Sequence, residues 1–462
     1  MIADGKASLR GALRLLATAS CILSAACSEN GSVGNVEDEN DRQIESTEVE
    51  TSSDQDPPPA LLDFQEIALE GSPHQLTSFR FIPGTAKFLA LARTGRVWYY
   101  GLEGDTARLL GKFTAPGVYV NTDCGLVSIA FDPDFEKNHY IYLGQCFSPT
   151  HSGVIRLTFD PEHLKDVPFT SVVVIREGDP RTKFPWHNIG TIGFDTHDNL
   201  WALFGDKRIS ANSQDTSNNL GALVRIRPRH GDTAGGYDVV ASNPFAKNAE
   251  RNPADPGPIT PDFGKGSPDA NEPSPDIYAY GLRAPWTGVL DHLGRYWTAD
   301  VGDLTYEEIN LIDEAALNFG WPNQCGPDCL KEPCEGIREP YVFWDRESDH
   351  RFVLADPEAE PNTLRVAWVG LEYRPEESTD RYNGRLTNAV LYGDLCAGFV
   401  RAAKVASDGS VQFDLPVGHL AGTTGWDQGP DGFIYAVSFE RCTTKPNIRY
   451  PKSKFFRAVL RD

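Results

Sequence analysis

Six times along the chain an apolar run of alternating character is followed by a turn rich in Gly, Asp or Pro and then by a second apolar run carrying Tyr or Trp. The six are FRFIPGTAKFLALARTGRVWYY from Phe79, VSIAFDPDFEKNHYIYLG from Val127, TIGFDTHDNLWALFGD from Thr191, TGVLDHLGRYWTADVGD from Thr287, RYNGRLTNAVLYGDLCAGFVRAAKV from Arg381 and TGWDQGPDGFIYAVS from Thr424. Period-two alternation lays one face of an extended segment on a core, and a tight turn returns the chain beside itself, so each unit predicts strand, hairpin, strand. Repeated units of this kind pack round an axis, each as the middle of one blade, and the expectation is an all-β, six-bladed β-propeller. Between the units lie polar stretches, Arg208 to Asn219, Gly231 to Glu272 and Asn323 to Pro361, which are expected to be loops on one face.

Composition agrees with a large, turn-dense body. The 462 residues include 9 Trp, 16 Tyr and 24 Phe for a core and 42 Gly and 33 Pro for turns. A net charge of −22 argues against a nucleic-acid surface, because phosphate backbones are bound by clustered Lys and Arg. Part of that charge is local: Ser28 to Pro58 hold ten acids against one base, Arg42, so ten minus one, or nine, of the 22 lie there. A segment so acidic and so poor in aromatics does not offset its ordering entropy, and residues 27–60 read as a disordered tether.

Ahead of it, Lys6, Arg10 and Arg14 precede the apolar run LLATASCILSAA, the build of a bacterial export signal over residues 1–26 and too short for a membrane span. Two outcomes follow from the cleavage region. Cleavage before Cys27 gives a lipoprotein held at the outer membrane; ordinary cleavage after Ala26 gives a periplasmic protein, and Leu23 stands four rather than three residues before Cys27. The folded domain is expected over 61–462. With Cys21 removed and Cys27 lipidated, seven of the nine cysteines remain, and an oxidising compartment pairs most of them. Cys124 with Cys146 is the first expected bridge, Cys396 with Cys442 the second, and an odd count leaves one thiol free.

Candidate chemistry lies in the loops that lead into strands. His187, in PWHNIGTIGFD, has a side chain whose ordinary pKa suits proton transfer near neutral pH; its plainer reading is a histidine packed beside Trp186. Arg283 follows YGL, and Gly302–Asp303 form a turn between a Trp/Tyr-rich strand and the acidic segment YEEIN. Glu307 and Glu308 in that segment read as a solvated pair or as ligands of a structural ion, and acidic pairs in turns are usually solvated. No nucleophile elbow GxSxG and no HExxH motif is present.

Taken together, YGLR from Tyr280, DVG from Asp300, EEINLI from Glu307 and NFGWP from Asn318 resemble the glucose/sorbosone dehydrogenase family. These are soluble six-bladed propellers that use pyrroloquinoline quinone (PQQ), with hedgehog-interacting-protein-like relatives beside them. The resemblance implies a sugar dehydrogenase in which His187 is the base for the anomeric hydroxyl and Arg283 contacts the quinone oxygens. It further implies that the backbone carbonyls of Gly302 and Asp303 hold Ca2+. The chain departs from the pattern at several places. Ile189 stands for a small residue, Thr191 for an arginine, Ala284 for an asparagine and Asp123 for a Gln or Glu; Leu395 and Cys396 fall where some members carry a lysine, and Gly422 and Thr424 replace an Arg-x-Arg pair. The rival expectation is therefore a propeller that has lost the quinone and binds a carbohydrate or a protein at the same mouth. The electron acceptor is not legible.

Overall fold

The computed structural model describes residues 61–164, 172–231, 235–246, 272–346, 365–439 and 452–461. The export signal, the tether, Cys27 and Cys442 lie outside them. Within them the chain is almost entirely β: five sheets of four to eight strands and one two-stranded ribbon, with a single four-residue α-helix at Phe135–Asn138.

Each sheet is built from the hairpins that the sequence pattern marks. Leu76–Phe81 pairs with Lys87–Ala92, Leu126–Phe131 with Tyr140–Cys146, Ile189–Phe194 with Leu200–Phe204, Pro285–Leu290 with Tyr296–Asp300, and Thr423–Gln428 with Ile434–Ser438. The Tyr or Trp of the second strand has a definite task. Tyr142 Oη, Trp201 Nε1, Trp297 Nε1 and Tyr435 Oη donate to one carboxylate oxygen of Asp132, Asp195, Asp291 and Asp431, at 3.0, 3.0, 3.1 and 2.9 Å. The other oxygen of the same aspartate accepts backbone N–H groups of the turn, from Asp134, Asn199, Leu293 and Phe433. One side chain thus fixes the turn and is itself held by the strand it returns to, the mechanism that makes Asp a turn residue.

The leading strands form a closed ring. Leu76–Phe81 packs on Leu126–Phe131, that on Ile189–Phe194, then Pro285–Leu290, Ala367–Glu372 and Thr423–Gln428, and the last returns to Leu76–Phe81. This closure is the β-propeller. Along its axis the described residues leave a void of about 20 Å³, lined by Ser78, Arg80, Thr191, Thr287, Trp368 and Thr424 among others, with room for about one water. The ring is locked by its ends: Leu62–Leu69 pairs antiparallel with Phe455–Leu460, register Leu62 to Leu460, and also runs parallel to Thr106–Thr114. That second pairing merges two four-strand runs into the eight-stranded sheet, so the sheets do not count off one to one against the expected blades.

Three expectations are corrected. The units are expected to be the middle of each blade; the one from Arg381 is, falling on the second and third strands of its sheet, Val390–Asp394 and Phe399–Val405, behind a leading strand, Ala367–Glu372, that is buried on both faces and so without alternation, whereas the other five start on the leading strand. The stretch from Asn323 is not simply a loop, since Val342–Asp345 pairs with Tyr306–Ile312 as the fourth strand of its sheet. Likewise Tyr237–Val239 joins the sheet led by Ile189–Phe194, and Ser210–Gln214 is a 3-10 turn.

Disulfides join Cys124 to Cys146 and Cys329 to Cys334. Cys396 is also disulfide-bonded, and Cys325 is the free thiol among those described; the expected bridge to Cys442 reaches outside the described residues.

Candidate active site

The loop before Ile189–Phe194 and the loop after Leu200–Phe204 meet at one end of the ring. His187 Nδ1 donates to the Asp206 carboxylate at Oδ1, 2.6 Å away, and both are largely buried, with side chains 12% and 2% exposed. Gly205 makes this approach possible: a Cβ there would lie 2.5 Å from the His187 carbonyl oxygen. Asp206 is fixed on every side. Its Oδ2 accepts from Trp321 Nε1 at 3.0 Å, its Oδ1 also accepts the backbone N–H of Arg208 at 2.6 Å, and its own N–H donates to the Arg283 carbonyl at 2.8 Å. Burial pushes the Asp206 carboxyl up, but the neighbouring His187 and Arg283 charges and these donors hold it below the ordinary carboxylate range. With Nδ1 committed to a carboxylate, Nε2 is the ring nitrogen left for a ligand; no hydrogen bond reaches it among the described residues.

The backbone here is strained. Thr122, His187, Lys207 and Arg208 all lie at positive φ, 42°, 50°, 58° and 58°. Each costs about 1 kcal/mol or more for an L residue and is held only because the surroundings over-determine it, a pattern that gathers at functional sites. Behind His187, Lys207 is fully buried, donating to Ser152 Oγ at 3.0 Å and Asn188 Oδ1 at 2.5 Å; burial lowers its pKa to about 7 against the pull of Glu177 and Asp123. Asp123 closes the front, its Oδ2 accepting the His187 N–H at 3.3 Å, and burial raises its carboxyl against His187, Arg283 and Arg93.

Arg283 stands in the same cluster. Asp300, at the end of Tyr296–Asp300, accepts the backbone N–H groups of Arg283 and Ala284 at 2.8 and 2.6 Å, which sets the turn. The guanidinium lies 5.4 Å from the Trp321 ring and donates to Val301 O at 2.9 Å, Gly302 O at 2.8 Å and Asp303 Oδ1 at 2.9 Å. Gly302 admits no side chain, since a Cβ would fall 1.5 Å from Tyr306 O. The carboxylate pair after it is not solvated as expected: Glu307 is fully buried, bonded to Arg346 and to the Ala367 N–H, and Glu308 accepts the Gly326 N–H at 2.6 Å. Burial raises both carboxyls, Glu307 to about 8.

These contacts decide what the site fits. Arg283 Nε is buried without a hydrogen-bond partner among the described residues, an orphan donor suited to a ligand oxygen such as that of a quinone. The Gly302 carbonyl does not fit calcium as the resemblance implies, because Arg283 and Arg346 already donate to it, at 2.8 and 3.1 Å. Elsewhere, Leu395 and Cys396 are buried in the core, and Thr424 donates to Leu76 O within the ring, so the expected cationic partners have no equivalent at those positions. Cys329, Glu332 and Cys334 cluster with metal-ligand spacing, but the two cysteines are bonded to each other.

The sequence pattern gives no role to Asp206 or Arg346 and shows Asp300 and Trp321 only as parts of the DVG and NFGWP motifs. The first had a signal, the Gly205–Asp206 pair at the end of an apolar strand.

Residues 73–254 and 261–348 match the family described as Glucose / Sorbosone dehydrogenase. Part of the chain is similar to HIPL1 protein of Arabidopsis thaliana, 28% identical over 160 residues, which is 31% of this chain and 20% of that protein. Among solved structures, the PQQ-bound aldose sugar dehydrogenase of Streptomyces coelicolor matches with a TM-score of 0.61 at 18% identity, over 88% of this chain and 100% of that one. The soluble aldose sugar dehydrogenase of Escherichia coli in its apo form gives 0.60 at 17%, over 87% and 100%. At such identities the likeness is one of fold.

Proposed function

The chain belongs to the glucose/sorbosone dehydrogenase family, and from that premise we propose that it is a sugar dehydrogenase whose base is His187 and whose quinone-holding residue is Arg283. The observation that supports this most is the link between the two: Asp206 grips His187 through its carboxylate and the Arg283 carbonyl through its N–H.

In this reading an aldose hydroxyl donates to His187 Nε2. A proton on Nδ1, shared with the Asp206 carboxylate, leaves Nε2 as the acceptor, and the same carboxylate stabilises the imidazolium that forms. Trp321 Nε1 and the Arg208 N–H keep Asp206 from rotating away. PQQ, when bound, supplies the hydride acceptor. Arg283 Nε is the N–H that would meet its oxygen, with the Trp321 ring beside it. No step is assigned to calcium. The placement of the protein outside the cytoplasm, by export with or without a lipid on Cys27, belongs to the same proposal.

The second reading, a carbohydrate- or protein-binding propeller without a cofactor, draws on the buried Leu395 and Cys396 and on Ala284. A titration separates the two. PQQ added to purified protein is expected to quench tryptophan fluorescence at micromolar concentration, through Trp321, and the loaded protein to reduce a dye with aldoses. His187→Ala is expected to keep the quenching and lose the turnover. Absence of quenching leaves the binding module.

A further inference from the structure

The carbonyl that the resemblance gives to a metal is already engaged by the protein's own cations. A carbonyl oxygen has two lone pairs. Those of Gly302 receive N–H groups from Arg283, at 2.8 Å, and from Arg346, at 3.1 Å. The surrounding oxygens are engaged as well: Val301 O and Asp303 Oδ1 by Arg283, and the two Glu307 oxygens by Arg346 and by the Ala367 N–H. Calcium needs six to eight oxygen ligands at about 2.3–2.6 Å, and two guanidinium groups on the same carbonyl both block its approach and repel its charge.

Arg346 is placed there by the fold. Val342–Asp345 pairs with Tyr306–Ile312 in the register Glu307 to Trp344, and the Arg346 N–H continues the ladder to Thr305 O at 2.8 Å. The side chain, 9% exposed, is thereby laid between the fully buried Glu307 and the Gly302 turn.

We infer that the guanidinium of Arg346, paired with that of Arg283, is the resident cation of this site, so that the Gly302 turn binds no divalent metal and the site receives an oxyanionic or quinone ligand without one. The arginine occupancy stands on the contacts above; only the identity of the ligand rests on the dehydrogenase reading.

The test begins with the intact protein. Its melting temperature is expected to be the same in EDTA and in millimolar calcium, and PQQ quenching, if it occurs, to be equal in both. Arg346→Met frees one lone pair of Gly302 O and one oxygen of Glu307, and is expected to show calcium binding by calorimetry where the wild type shows none, with a melting temperature that now rises in calcium. Because that variant leaves Glu307 buried without its ion pair, Arg346→Lys serves as a second variant. It keeps the charge and is expected to remain as indifferent to calcium as the wild type. A calcium-dependent rise in wild-type melting temperature, or quenching that requires calcium, overturns the inference and leaves the quinone reading intact. Equal melting temperatures with no quenching in either buffer uphold the inference and sink the quinone reading.

Discussion

His187 draws its proposed reactivity from the residue that holds it. Asp206→Asn preserves shape but replaces the carboxylate at Nδ1 with an amide that does not fix the tautomer, so kcat for aldose oxidation is expected to fall by about 10²–10⁴ with little change in KM, read by dye reduction. Asp300 gives a pH prediction. Burial first, and the Glu308 charge second, raise its carboxyl from 3.8 to about 8, while the Arg283 and Ala284 N–H groups pull it down. A folded pKa above the unfolded one means stability that is full below about pH 4 and is lost as pH rises through about 8. Melting temperature should therefore decline from about pH 5 to pH 8, and Asp300→Asn should flatten that decline. Of these residues, His187 and Arg283 were legible because each sits beside a distinctive motif. Asp300 and Arg346 act through contacts across a turn and a ladder, which a linear pattern does not display.

The hairpin is the unit the sequence states most clearly. Its Tyr or Trp recurs because an aspartate in the turn needs a donor, as Trp297 Nε1 supplies to Asp291 Oδ2 at 3.1 Å. Trp297→Phe removes that donor and leaves Asp291 Oδ2 with the Arg295 guanidinium as its partner, at an expected cost of about 1–3 kcal/mol in chemical unfolding, with the fold retained. What the pattern hid were strands without alternation. Ala367–Glu372 is buried at all six positions, and Val342–Asp345 is only four residues long among polar ones, so neither shows the period that marks a half-exposed strand. The pattern consequently misses the leading strand Ala367–Glu372 and reads the strand that delivers Arg346 as loop.

At the scale of the whole molecule, the ring stays closed because its first and last strands pair. Ile67, 1% exposed on Leu62–Leu69, packs among Phe79, Phe88 and Phe455, and Ile67→Ala is expected to cost about 2–5 kcal/mol, loosening the clasp in thermal unfolding. Closure also brings the sheets led by Ile189–Phe194 and Pro285–Leu290 together at one end, where Asp206, Trp321, Arg283 and His187 form one cluster although 134 residues, from 187 to 321, separate the outermost of them. Local motifs show His187, Arg283 and Trp321 but not their meeting, which depends on the closed ring. The most direct measurement is the rate of dye reduction by PQQ-treated protein with an aldose carrying hydrogen or deuterium at C1. The account predicts turnover that slows several-fold with deuterium and disappears in His187→Ala. Turnover no greater than that of PQQ alone, with either sugar, would contradict it.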